Sequence, residues 1–204
     1  MGDKSIPHQR QSLLEPSGSQ KEWRLFVGIP LWNSLRESAE GKCQSLNHAY
    51  RSIRWVRPEN WHITLLFLGP VQPERVDRLS ECLREAAASH SQFDIELAGL
   101  GGFPRLSKAR VVWVGVKSGK DLLSHLAVTV RQACAGIGLP GDKKPFEAHL
   151  TLGRARSEPV GITVEPEIYS QAWGTHTVRE IHLIRSFLEK SGPRYESVSV
   201  GTLK

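Results

Sequence analysis

The sequence predicts an α+β fold of two related lobes. Three features carry that expectation. Short apolar runs that alternate with polar residues, separated by turn residues, predict antiparallel strands. Two long amphipathic stretches predict helices on one face of those strands. The pattern His-x-Thr-Leu occurs at 62 and again at 149, 87 residues on, each time in an apolar strand accompanied by a long helix. That recurrence predicts an internal duplication with approximate two-fold symmetry.

In chain order, "WRLFVGIPL" (23–31) is aromatic and branched and bounded by proline, so it predicts a strand. Residues 33–49 have apolar positions at helical spacing, with Asn33 as the expected N-cap. Residues 53–60 predict a short strand ended by Pro58, and "WHITLLFLG" (61–69) a strand closed by Gly69-Pro70. Residues 72–90 predict an amphipathic helix with Val76, Leu79, Cys82, Leu83 and Ala86 on one face. Residues 92–103 read as a strand that breaks into glycines, and 109–119 as another ended by Ser-Gly. Residues 121–138 predict a helix with Asp121 at its N-cap and glycines at its close. A strand follows at 146–156, then a hairpin over 177–204 turning through "KSGPR".

The chain has 204 residues, enough for one large domain or two small lobes. Residues 1–22 are expected to be a flexible polar tail and 23–204 the folded unit. No apolar run approaches the roughly 18 residues of a membrane helix, and the N-terminus has no apolar signal core, so no membrane partner is expected. Cys43, Cys82 and Cys134 are odd in number and form no CxxC pair, which argues against a disulfide framework or zinc knuckle and for free thiols in a reducing cytoplasm. The net charge of +6 favours polyanionic partners, nucleic acid first.

The two histidine strands carry the chemistry. In a strand, residues two apart share a face. His62 and Thr64 therefore share one face of their strand, with Ile63, Leu65 and Phe67 on the other; His149 and Thr151 share a face opposite Leu150 and Leu152. If the lobes are pseudo-symmetric, the two polar faces can meet across a cleft around one small anion. Imidazole titrates near neutrality, so one histidine can take a proton from water while the other protonates a leaving oxygen. A phosphodiester opened by in-line displacement needs that pair. The threonine hydroxyls can donate to non-bridging oxygens, and Arg154 is the natural guanidinium for the developing charge. Neither a metal nor a cofactor is expected, because the cysteines lack ligand spacing and no carboxylate recurs beside the motifs. His8, His48, His90, His125, His176 and His182 are read as ordinary histidines, and Trp55, Trp61, Trp113 and Trp173 as core.

The paired motifs, His62-Ile-Thr64-Leu and His149-Leu-Thr151-Leu, resemble those of the 2H phosphoesterase superfamily. From about Trp23 onward, "RLFVGIPL", "IRWVRPENWHITLLFLGPV", "LGGFPRLSKARVVWVGV", "PFEAHLTLGRAR" and "HLIRSFLEKSGPRYESV" resemble its RNA 2′,3′-cyclic phosphodiesterase branch, also called 2′-5′ RNA ligase. The resemblance implies a bilobal fold, with two antiparallel sheets facing across a central groove and helices outside. It implies hydrolysis of a terminal RNA 2′,3′-cyclic phosphate to a 2′-phosphomonoester, with RNA ends or nucleoside 2′,3′-cyclic phosphates as partners of an expected monomer. By position, His62 would be the proton donor and His149 the proton acceptor; Thr64, Thr151 and Arg154 would hold the phosphate. Ala148 stands where the family often has proline. Phe103, Arg105 and Arg156 are further candidates for RNA contact, Phe103 by stacking on a base.

Overall fold

The computed structural model describes residues 21–164, 172–189 and 192–204. They form β1 (Trp23–Pro30), α1 (Trp32–Ala49), β2 (Ile53–Trp55), β3 (His62–Val71), α2 (Val76–Ala88) and β4 (Phe93–Phe103). Then come β5 (Val111–Ser118), α3 (Lys120–Gly136), β6 (His149–Ala155), β7 (Ala172–Val178), β8 (Glu180–Glu189) and β9 (Gly192–Thr202). The class is α+β, as expected. Most of the expected tail, with His8, lies outside the described residues, as do Lys190 and Ser191 at the start of the "KSGPR" turn.

Several boundaries differ from the sequence reading. Helix α1 starts one residue before the expected cap Asn33; Leu31 holds the cap position without a side-chain hydrogen bond. Helix α3 is capped by Gly119 (φ 79°) rather than Asp121, which falls in the first turn. A Cβ at Gly119 would lie 2.5 Å from the Asp94 carbonyl oxygen, so close approach as well as positive φ excludes a larger residue. Strand β2 is only three residues long. Pro58 then opens a 3₁₀ turn, and the extended Arg57 before it follows from the proline ring. Strand β3 runs through Gly69-Pro70 to Val71, and β4 runs through its glycines to Phe103 instead of dissolving into a loop. At Gly101 the reason is packing: a Cβ there would meet the Trp113 indole at 2.2 Å.

All strand pairings are antiparallel, in the order β7-β4-β5-β6-β3-β1-β8-β9, with β2 added on β6. The two expected sheets are thus two four-stranded halves joined along one seam. They touch by a single β3–β6 pair, Ile63 with Leu150. Strand β2 then takes over the same edge of β6, pairing Ile53, Arg54 and Trp55 with Ala155, Arg154 and Gly153. The expected duplication is explicit in the spacing: β1, α1 and β3 begin at 23, 32 and 62, and β5, α3 and β6 at 111, 120 and 149, an offset of 87 or 88 throughout.

One face of the sheet carries the core. Leu25, Val27 and Ile29 of β1, Ile63 and Leu65 of β3, Val112 and Val114 of β5, and Leu150 and Leu152 of β6 are buried together with Leu79, Leu83, Leu126 and Val130 of the helices. Each such side chain contributes about 1.5–3 kcal/mol. The face of α2 expected from sequence is the one buried. With one side of β3 and β6 committed to this core, the alternate residues turn toward the other side.

Candidate active site

His62 and His149 open β3 and β6, next to the seam where the halves meet. Their surroundings are copies of one another. The Nδ1 of His62 donates to the Asn60 carbonyl oxygen at 2.7 Å, and the Nδ1 of His149 to the Glu147 carbonyl oxygen at 2.7 Å. In both cases the acceptor is the backbone two residues earlier. A carbonyl accepts only from N–H, so this bond fixes the tautomer and leaves Nε2 as the basic nitrogen of each neutral ring. Each ring also has two aromatic neighbours: Phe26 (4.8 Å between centroids) and Tyr195 (5.2 Å) for His62, Phe103 (5.1 Å) and Trp113 (6.1 Å) for His149.

Burial disfavours the charged form of both rings in the free protein. Burial pushes the His62 imidazole down to about 4; the Asn60 carbonyl opposes this, while His149 and Arg154 lower it further. Burial also lowers His149, opposed first by its hydrogen bond to the Glu147 carbonyl, with Arg154 again pushing down. An anion bound between them reverses the sign of the local field and favours imidazolium.

Strict alternation would bury Phe67 and Arg154 with the core leucines. The structure corrects the core-face reading of Phe67 and keeps Arg154 on the histidine side, where it is expected; the cause in both is a pair of matching β-bulges. On β3, Thr64 pairs with Gly28 and Leu66 with Val27, so Leu65 has no opposite residue. On β6, Thr151 pairs with Trp113 and Gly153 with Val112, so Leu152 has none. Each bulge reverses the alternation after it, so two consecutive residues are buried and the next is exposed. Phe67 and Arg154 thereby emerge on the side of the histidines.

That side is a groove of about 670 Å³. It is lined by His62, Thr64, His149, Thr151, Arg154 and Arg156, all six anticipated from sequence. Phe103 and Arg105 are not among its lining residues: Phe103 packs edge-on against the His149 ring, and Arg105 is exposed beside the 3₁₀ turn Leu106–Lys108. Several lining residues were missed. Phe67 (49% exposed) was assigned to the core face, yet it borders the groove; Trp55, read as core, packs against the core and borders the groove as well. Tyr195 comes from β9, more than a hundred residues away in sequence from His62.

Arg54 was also missed. It lies directly opposite Arg154 across the β2–β6 pair, and both line the groove. Like charges directly opposed on one sheet face repel. An anion between the two guanidinium groups would remove that cost. The sequence signal was available, since "IRWV" alternates a charged residue into an apolar run, but only the register makes Arg54 a neighbour of Arg154.

Comparison with known proteins decides the lineage. The family model described as the 2′-5′ RNA ligase superfamily matches residues 31–187, a span that contains both histidine strands. The chain belongs to the 2′-5′ RNA ligase superfamily. Within it, the chain is 37% identical to an RNA 2′,3′-cyclic phosphodiesterase of Archaeoglobus fulgidus, over 87% of this chain and 98% of that protein. It is 35% identical to the enzyme of the same name from Aeropyrum pernix, over 76% and 88% of the two chains. Among solved structures it is similar to E. coli LigT complexed with 3′-AMP, with a TM-score of 0.73 and 27% identity over 91% of this chain and 99% of that one.

Proposed function

We propose that the chain hydrolyses terminal RNA 2′,3′-cyclic phosphates, and nucleoside 2′,3′-cyclic phosphates, to 2′-phosphomonoesters by paired-histidine acid–base catalysis. The observation that carries this reading is the duplicated imidazole: two rings, each held at Nδ1 by a backbone carbonyl, line one groove that also contains Arg54 and Arg154. The relatives named RNA 2′,3′-cyclic phosphodiesterase support the substrate class.

The two sides of the groove differ at one equivalent position, and that sets the direction of the substrate. Phe67, on the His62 strand, offers an apolar face to a nucleobase; Arg154, on the His149 strand, offers charge to the phosphate. The nucleoside and its leaving 3′ oxygen then lie toward His62, and the attacking water toward His149. Neutral His149 accepts a proton from water as the new O–P bond forms, and protonated His62 gives its proton to O3′ as the P–O3′ bond breaks. Thr64, Thr151, Arg154 and Arg54 hold the non-bridging oxygens as negative charge grows on them. A proton returned from His149 to His62 through solvent closes the cycle. Both proton transfers are supplied by side chains, so the scheme asks for no metal.

A second reading uses the same groove in reverse: a 5′-hydroxyl of RNA replaces water and a 2′-5′ linkage forms. The superfamily description and the open groove favour keeping it. A pure binding module is disfavoured, since two imidazoles held below neutrality attract phosphate less well than Arg or Lys would. The three free cysteines suit the cytoplasm. No helix of the described residues is long and apolar enough to cross a membrane.

A phosphorus NMR time course with a nucleoside 2′,3′-cyclic phosphate in EDTA tests the proposal. Conversion to the 2′-phosphomonoester is expected. An unchanged cyclic phosphate, or a 3′-phosphomonoester product, contradicts it.

A further inference from the structure

A second depression of about 490 Å³ adjoins the groove. It is lined by Gln44, Asn47 and His48 from the end of α1, by Arg51 from the turn before β2, and by Arg156 just past β6. Arg156 lines both cavities. Its backbone N–H donates to the Ser52 carbonyl oxygen at 3.0 Å, and its Nε to the Arg51 carbonyl oxygen at 3.3 Å, so the side chain is pinned at the divide with its Nη groups left for a ligand.

We propose that this depression is a second phosphate subsite, in which Arg51, Arg156 and His48 hold a phosphodiester of the single-stranded RNA that leads to the cyclic end. The inference rests on the reading of the groove as a cyclic-phosphate site and extends it from the reacting nucleotide to the strand behind it. Charge makes the choice of exit. The β2–β6 ladder places guanidinium groups on alternate rungs, with the Ile53–Ala155 pair between them: Arg154 lies opposite Arg54, and Arg156 is bonded back to the Arg51–Ser52 turn. None of the five residues lining the depression is acidic. On the other lobe, Arg194 at the groove margin is paired with Glu189 at 3.0 Å and Glu196 at 3.5 Å, which cancels its attraction for a polyanion. With the terminal base toward Phe67, the strand behind it folds back along the groove past Arg154 and Arg54, and the positive charge of Arg156 and Arg51 lies beyond them. The five residues are polar hydrogen-bonding groups of the kind that positions a backbone without reading sequence.

The test compares kcat/KM for a mononucleoside 2′,3′-cyclic phosphate and for short oligoribonucleotides ending in the same group, in the full chain and in Arg51→Gln. The expected result is that Arg51→Gln lowers kcat/KM about 3-fold or more on oligonucleotides and leaves the mononucleotide rate within 2-fold. The slope of log kcat/KM against log salt should also become shallower by about 0.7 on oligonucleotides, the loss of one single-strand phosphate contact. Equal effects on both substrates, or an unchanged slope, overturn the subsite. If the unaltered protein fails to hydrolyse the mononucleotide, the proposed activity falls instead. The subsite is then judged by fluorescence anisotropy of a labelled oligoribonucleotide with a 3′-terminal phosphate, where the same change in salt slope is required and its absence overturns the inference.

Discussion

Phe67 and Arg154 occupy equivalent positions on two copies of one bulged strand, each five residues after its histidine and each lining the groove. The duplication is matched at the histidine, the threonine and the bulge, and it breaks where one copy has an aromatic ring and the other a guanidinium. A symmetric groove would bind a phosphodiester in two orientations with equal ease. This one has an apolar side and a charged side, which suits a substrate with a base at one end and a reacting phosphate at the other.

Replacing Phe67 by Ala is expected to raise KM for a nucleoside cyclic phosphate about 5- to 100-fold, the worth of one base–aromatic stack, with a smaller change in kcat. Arg154→Ala should show the complementary pattern and lose mainly kcat, since its charge meets the transition state more than the base. Steady-state kinetics on both variants check this. Identical effects on KM and kcat in the two variants would contradict the assigned polarity.

His62→Ala and His149→Ala are each expected to lower kcat by about 10² to 10⁴. Because the two rings act on one displacement, the double variant should lose little more than either single one. Thermal melting separates this from misfolding: both rings are partly buried at the groove wall and lie outside the hydrophobic core, so the variants should melt close to the parent.

The pH dependence follows from the direction of the shifts. Burial lowers both imidazoles in the free protein, His62 to about 4. The profile of kcat/KM reports the free enzyme, so both of its limbs should lie on the acid side of the ordinary histidine value of about 6.5. A bound phosphate anion favours imidazolium, so the limbs of the kcat profile should move upward. A kcat/KM profile centred above 6.5 would contradict the burial of the pair.

Gly101→Ala tests the support behind His149. The added methyl would overlap the Trp113 indole, which packs against His149. The variant is expected to lose about 1–3 kcal/mol of stability, as overpacked cores do, and to lose activity with it. Gly41→Ala is the control: a Cβ there meets nothing within 4 Å, and on a helix it should stabilise by up to about 1 kcal/mol. Urea unfolding of the two variants gives both numbers.

The histidine–threonine pairs were legible in the sequence because period-two alternation is local, and for three residues it held in both strands. Phe67 was misplaced for the same reason. A bulge inserts one residue into the count, and nothing in "WHITLLFLG" marks Leu65 as the extra one; only the partner strand β1 reveals it. The glycines of β4 looked like a loop because Gly101 makes room for Trp113, a side chain on the neighbouring strand. Tyr195 and Arg54 enter the groove through pairings that join distant segments. The carbonyls of Asn60 and Glu147 that orient the rings are backbone groups, which residue types do not disclose.

The central claim is that the two imidazoles act from opposite sides of one phosphorus atom. Hydrolysis of a single diastereomer of a nucleoside 2′,3′-cyclic phosphorothioate in oxygen-18 water reads this from the configuration of the product. Inversion at phosphorus is the predicted result. Retention would contradict the placement of acid and base across the groove.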